Sequence, residues 1–191
     1  TETGIRPCAS PVGRIMAYAS TKVKAISTIL SSEMQALGGD IRAVIITDFE
    51  KTSATTLVEG VMDDEAGGAV AAFRQAVQCD NVDLLNPILM TGSTVLVDDD
   101  LAEEFLAAAN NWIEERSLAI TLVDEIRGDY HEIVGKGKDW IPRYYSLMIT
   151  EFFQLGITKC LIGTRGLLGE GWDASRILSL IHISEPTRRT T

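Results

Sequence analysis

Histidine, cysteine and long apolar runs are all scarce in this chain, and each scarcity removes a class of protein. The two histidines (His131 and His182) and three cysteines (Cys8, Cys79 and Cys160) are widely scattered, so neither a zinc-ligand pattern nor a disulfide framework can be drawn. A reducing cytoplasm is therefore the default compartment. No apolar stretch reaches the ~18–20 residues that a membrane span requires, and no basic segment followed by an apolar one marks a secretory signal. No membrane partner is expected. Basic residues are outnumbered, 17 Lys and Arg against 27 Asp and Glu, for a formal net charge of -10. A free-standing nucleic-acid binder depends on cations that neutralise phosphates, and this balance argues against one. It leaves room for a domain that adds a few contacts to a larger basic surface.

What the chain does have is a core-forming composition, with 46% hydrophobic residues over 191 positions. That is enough to bury one compact domain. Residues 1–19 carry little periodicity, and Pro7 and Pro11 oppose a regular element there. From Ser20 onward Val23, Ile26, Leu30, Met34 and Leu37 recur at helical steps. Ser20 or Thr21 is placed to cap this helix, and Gly38-Gly39 to end it. Residues 41–48 form a β-branched run suited to a strand buried on both faces. A short helix is expected over 69–77 and a second buried strand over 87–92. Asp98, Asp99 and Asp100 precede an amphipathic helix built on Leu101, Phe105, Ala108, Ala109 and Trp112, where they read as a solvated helix start favoured by the dipole. Short strands are expected near 119–124 and 132–134, and a helix over 142–155 with Tyr145, Met148, Phe152 and Leu155 on one side.

Alternating helices and apolar strands imply a layered α/β domain with a mainly parallel sheet. Residues 93–139 carry their own small set of elements and read as an α+β insertion between core strands. The third buried strand, Lys159-Cys-Leu-Ile-Gly-Thr164, opens into Arg165-Gly-Leu-Leu-Gly-Glu-Gly-Trp-Asp173. In an open parallel sheet, ligands sit beyond the carboxyl ends of the strands. Gly166, Gly169 and Gly171 can take positive φ and leave N–H groups free for an anionic oxygen. Thr164 offers a hydroxyl, and Arg165 a planar cation suited to phosphate. Asp173 suits sugar hydroxyls or an arginine, or simply caps a helix beginning at Ala174.

The run from Gly163 to Ala174 resembles motif V of superfamily 2 helicases, especially the form ending Glu-Gly-x-Asp found in excision-repair and type III restriction-like translocases. The helix at 21–37 and strand at 41–48 resemble the elements that open the second RecA-like domain of that family. The strand ending at Thr91-Gly92 resembles its next core strand, and the helix at 142–155 the one preceding motif V. The resemblance spans most of residues 20–177, but only motif V is specific. It implies a three-layer RecA-like domain, truncated at its C-terminus, from an ATP-dependent helicase. It assigns Thr164, Arg165 and Gly92 to nucleic acid, and Glu170, Gly171 and Asp173 to ATP. The partners it implies are nucleic acid, DNA ahead of RNA, and the missing first RecA-like domain, which would hold Mg2+ with the ATP. No phosphate loop, acidic box or arginine-finger motif is present. The isolated chain is therefore expected not to hydrolyse ATP. The alternative is a nucleotide-sugar or other phosphate-ligand-binding α/β module, with the glycine-rich turn cradling a diphosphate. A purely structural interaction domain is a third reading.

The last segment stands apart. Leu178-Ser-Leu-Ile-His-Ile-Ser-Glu-Pro-Thr-Arg188 resembles a translated sequencing adapter, which would make 178–191 a non-native tail and remove His182 from any site. The other reading is an ordinary terminal strand built on Leu180, Ile181 and Ile183. The natural sequence is expected to run only to about Ile177, and Thr1, not being Met, suggests a start inside a longer frame. Among the remaining candidates, His131-Glu132 lacks the second histidine of a zinc-protease helix and reads as surface. Gly135-Lys-Gly137 reads as a hairpin turn. Trp112 reads as core, Trp140 is undecided, and Trp172 is the tryptophan beside the motif.

Overall fold

The computed structural model describes residues 20–48, 68–79, 82–169, 172–173 and 175–183, and of 20–24 and 82 the backbone alone. It is an α/β fold around a seven-stranded mixed sheet, in the order β4-β5-β3-β2-β6-β1-β7. The strands are β1 (Ala43–Thr47), β2 (Ile88–Met90), β3 (Val95–Asp98), β4 (Thr121–Ile126), β5 (Tyr130–Lys136), β6 (Cys160–Thr164) and β7 (Ser179–Ile183). The helices are α1 (Ser20–Leu37), α2 (Ala69–Val77), α3 (Ala102–Glu115), α4 (Pro142–Leu155) and the one-turn α5 (Arg165–Leu168).

Strands β2, β6, β1 and β7 run parallel, whereas β3, β5 and β4 extend the β2 side by antiparallel pairing. The sheet is thus parallel in the middle and antiparallel towards one edge. Residues 93–139 supply that extension together with α3, on the same sheet as the parallel strands. Its first strand, β3, has no counterpart among the expected elements, because only three apolar residues precede Asp98, whose run of acids reads as a helix start. The terminal segment forms β7, pairing along β1 from Ala43–Ser179 to Thr47–Ile183.

Pleating divides the core in two, since successive strand residues point to opposite faces. Val44, Ile88, Met90, Val97 and Leu161 face α3, α4 and Leu168 of α5. Ala43, Ile45, Leu89, Leu96, Cys160 and Ile162 face α1 and α2. Helices on both sides make three layers. The amphipathic stripes explain which helix face turns inward: Ile26 and Leu30 of α1 are buried, as are Ala69, Val70, Phe73 and Ala76 of α2. Burying each of the larger side chains contributes about 1.5–3 kcal/mol. Leu155, expected on the buried side of α4, is instead exposed, because the helix ends there at Gly156 with φ 88 and the chain turns back towards β6.

Candidate functional site

Register brings three threonines to the carboxyl ends of adjacent strands. Met90 and Ile46 both lie opposite Gly163, and Thr47 lies opposite Thr164. Thr91, Thr164 and Thr47 therefore follow one another along the rim of β2, β6 and β1. Thr47 and Thr91 are buried and Thr164 is half-buried. The Thr91 hydroxyl accepts from Ser93 N at 3.3 Å and Thr94 N at 3.0 Å, which closes the β2–β3 turn. Tyr145 Oη on α4 donates to Thr91 O at 2.6 Å and anchors the strand end. Gly92, the expected nucleic-acid contact, occupies this exposed turn, and a side chain there would meet open space. On the far side, His182 Nε2 approaches Asp48 Oδ1 at 3.4 Å.

The chain leaves β6 by turning at once into α5. Thr164 is the residue before the helix, extended at φ -87 and ψ 152, and its side chain makes no capping hydrogen bond. Arg165 opens the helix and is exposed. Gly163 is what allows this reversal: a Cβ there would lie 2.6 Å from Leu168 Cδ1 and 2.8 Å from Met90 O. Leu168 folds back over the strand and seals the interior below the rim. Gly169 plays a similar part, since a Cβ on it would collide with Arg165 O. The expected positive φ is absent at Gly166 and Gly169: the first is helical and the second has φ -92. Both serve close packing of a tight turn and not left-handed backbone. Gly171 and Glu170 lie outside the described residues, as does Ala174.

Beyond the turn, Trp172 N donates to Gly169 O at 3.2 Å and its indole Nε1 to Thr150 Oγ1 of α4 at 2.9 Å. The ring packs against the core cluster, so its near face is engaged by α4. Asp173 follows and is exposed. Thr164, Arg165, Gly92 and Asp173 are thus all open to solvent at least in part, with Thr164, Arg165 and Gly92 at the carboxyl ends of β6 and β2. Trp112 is core, with Nε1 bonded to Glu151 Oε2 at 2.7 Å and Arg116 stacked 4.1 Å above its ring. Trp140 lies over Gly135 and 5.0 Å from the Tyr145 ring, so the Gly135-Lys-Gly137 glycines serve ring packing and a φ +126 turn.

Two acidic or histidine sites differ from their sequence reading. Asp98 is 3% exposed at the end of β3, with Oδ2 buried and unpartnered, instead of lying on a solvated helix start. Burial, with the neighbouring charges of Asp100, Asp83 and Asp99, pushes its pKa up to about 6, while the Asp99 N–H acts the other way. Asp100 is raised too, by the charge of Asp83 and a hydrogen bond to it. His131 is buried instead of lying on the surface, because Asp124 and Asp99 each hold one of its ring nitrogens. No local pattern signals that arrangement, since Asp99 lies 32 residues away. Among the described residues, no group of three or more His, Cys, Asp or Glu is arranged to hold a metal. Cys79 and Cys160 are free and buried, and burial followed by the nearby Cys79 pushes the Cys160 thiol up to about 12. It is an inert core thiol.

These features define a three-layer α/β protein in which a half-buried Thr164 and an exposed Arg165 stand where β6 gives way to α5. No family model, no curated protein and no solved structure matches the chain. No helix among the described residues is long and apolar enough to cross a membrane.

Proposed function

We propose that the chain supplies the motif V face of an ATP-dependent nucleic-acid helicase or translocase of superfamily 2, as part of its second RecA-like domain. The observation that carries this reading is the exit of β6: a buried, central parallel strand ends at a half-exposed threonine and turns directly into an exposed arginine, with Asp173 exposed shortly after. A hydroxyl and a guanidinium beyond strand ends suit a phosphate backbone. A carboxylate held on the same turn suits the ribose or an arginine of the ATP site. In this proposal Thr164, Arg165 and Gly92 contact the strand, and Glu170, Gly171 and Asp173 face ATP. Mg2+ and the phosphate cradle belong to the first RecA-like domain. The parent protein works in the cytoplasm on DNA ahead of RNA, and the isolated chain is inactive towards ATP.

The role of the rim is coupling: ATP closes the cleft between the two domains, and the turn after β6 passes that movement to the bound strand. The test is strand-stimulated ATP hydrolysis by the protein encoded by the full reading frame, with Thr164→Ala. Loss of most of the stimulation, with basal hydrolysis and folding retained, is the expected result. Unchanged stimulation removes Thr164 from the site. A flanking frame without a phosphate loop would turn the reading towards a phosphate-ligand module.

A further inference from the structure

His131 on β5 sits between two carboxylates drawn from different elements. Its Nδ1 lies 2.7 Å from Asp124 Oδ1 on β4, and its Nε2 lies 2.8 Å from Asp99 Oδ1 in the turn before α3. A neutral imidazole has one N–H and one lone pair, whereas an ionised carboxylate only accepts. Both contacts are satisfied together only by the imidazolium, with each N–H donating. In the neutral ring, one lone pair would face a carboxylate oxygen at under 3 Å.

The surroundings favour the charged form. Opposite His131 in the sheet lie Val97 of β3 and Ile126 of β4, neither of them charged. On the neighbouring strand positions Glu125, Glu132 and Arg127 are joined to one another, Arg127 reaching both acids at 2.6 and 3.0 Å. Asp98, opposite Tyr130, interacts with Asp83, Asp99 and Asp100. The first turn of α3 adds Glu103 and Glu104 and no base. Among the described residues, the charges that act on His131 are therefore those of Asp124 and Asp99. Burial opposes protonation, but the hydrogen bonds to Asp99 and Asp124 and then their charges outweigh it, so the pKa is raised above the ordinary value of 6.5.

The mechanical setting gives this a consequence. Among the described residues β4 is an outer strand, paired with β5, and most of its residues are exposed. Asp124 is its link, through His131, to the turn that starts α3. We propose that Asp99, His131 and Asp124 form a proton-dependent clasp, in which protonated His131 fixes the outer β4 strand against the start of α3 and loss of its proton to water releases one side. This is independent of any role in ATP or nucleic-acid chemistry. Because the closed form binds the proton more tightly, the clasp contributes fully below the ordinary histidine pKa and is lost as pH rises through the raised one.

The experiment is a pH titration of the 191-residue chain from about 5 to 9, following the two imidazoles by NMR and the β4 amides by hydrogen exchange corrected for intrinsic rate. His182→Gln assigns the second imidazole. The clasp predicts a His131 midpoint above 6.5 with both nitrogens protonated below it. It also predicts a β4 opening constant that rises about tenfold for each unit of that elevation and then levels. Asp99→Asn should lower the midpoint and shrink the rise. A His131 midpoint at or below 6.5 overturns the proposal. So does a raised midpoint with β4 opening constant across it, which would make the contacts a static ion pair.

Discussion

The indole of Trp172 and the hydroxyl of Thr150 are joined by a 2.9 Å hydrogen bond, and the same hydroxyl donates to Ser146 O at 2.6 Å. The link ties the turn after β6 to the middle of α4. It engages Trp172 at a protein hydroxyl, which limits the indole's freedom to swing out and stack on a base. Its mechanical role can be separated from any ligand.

Trp172→Phe should cost about 1 kcal/mol, the net worth of one such hydrogen bond. The local effect should be larger than the global one, because residues 172–173 have no helix or strand of their own. Tryptic cleavage after Arg165 and Arg176 should accelerate while the denaturation midpoint moves little. Identical cleavage rates in the two proteins would show that the hydrogen bond does not hold the turn.

Gly163→Ala tests the reversal at the end of β6. The added methyl meets both Leu168 Cδ1 and Met90 O, and the second cannot move without disturbing β2. Overpacking of this kind costs about 1–3 kcal/mol. In a Leu168→Ala background Gly163→Ala should cost less than in the parent chain, because the first contact is gone while the second remains. Equilibrium unfolding in urea measures both, and a neutral Gly163→Ala would mean the turn is looser than its contacts imply.

Asp98 makes stability depend on pH in a particular direction. Its pKa is raised from 3.8 to about 6, so the folded chain holds this proton more tightly than the unfolded one. The favourable term is complete below about pH 4 and disappears as pH climbs to about 6, leaving a buried carboxylate to destabilise the fold above that. Asp98→Asn should therefore stabilise the chain at pH 7.5 by on the order of 1–2 kcal/mol, a discounted share of 1.36 per pKa unit. Near pH 4 it should change little. Equal effects at the two pH values would contradict the burial argument.

Under the helicase reading, Arg165→Ala and Asp173→Asn should separate. Losing one phosphate-contacting arginine should make the salt dependence of strand binding shallower by about one phosphate contact, with ATP affinity retained. Asp173→Asn should weaken ATP-dependent behaviour and leave the salt slope alone. Fluorescence anisotropy across a salt series, on the protein from the full reading frame, reads the difference. If both variants alter only the salt slope, Asp173 belongs with the strand contacts.

Local patterning carried a large share of this fold. The helix over 69–77, the helix over 142–155 and the buried strands around Val44, Leu89 and Ile162 were legible because side-chain period and element type are set by neighbouring residues. The exit of β6 into a glycine-bearing turn could be read for the same reason. The motif-level resemblance then named chemistry for it, and that assignment rests on the experiments above.

Strand order, register and charge environment were decided only by the tertiary structure. β6 comes late in the chain yet inserts between β1 and β2, which aligns Thr164 with Thr47 and sets it one step past Met90. Residues 93–139 join the same sheet, and that junction buries Asp98 while bringing Asp99, Asp124 and His131 together. A residue's helical or strand period depends on the few positions beside it. Its solvation and hydrogen-bond partners depend on which distant segments cover it, and no local pattern encodes that.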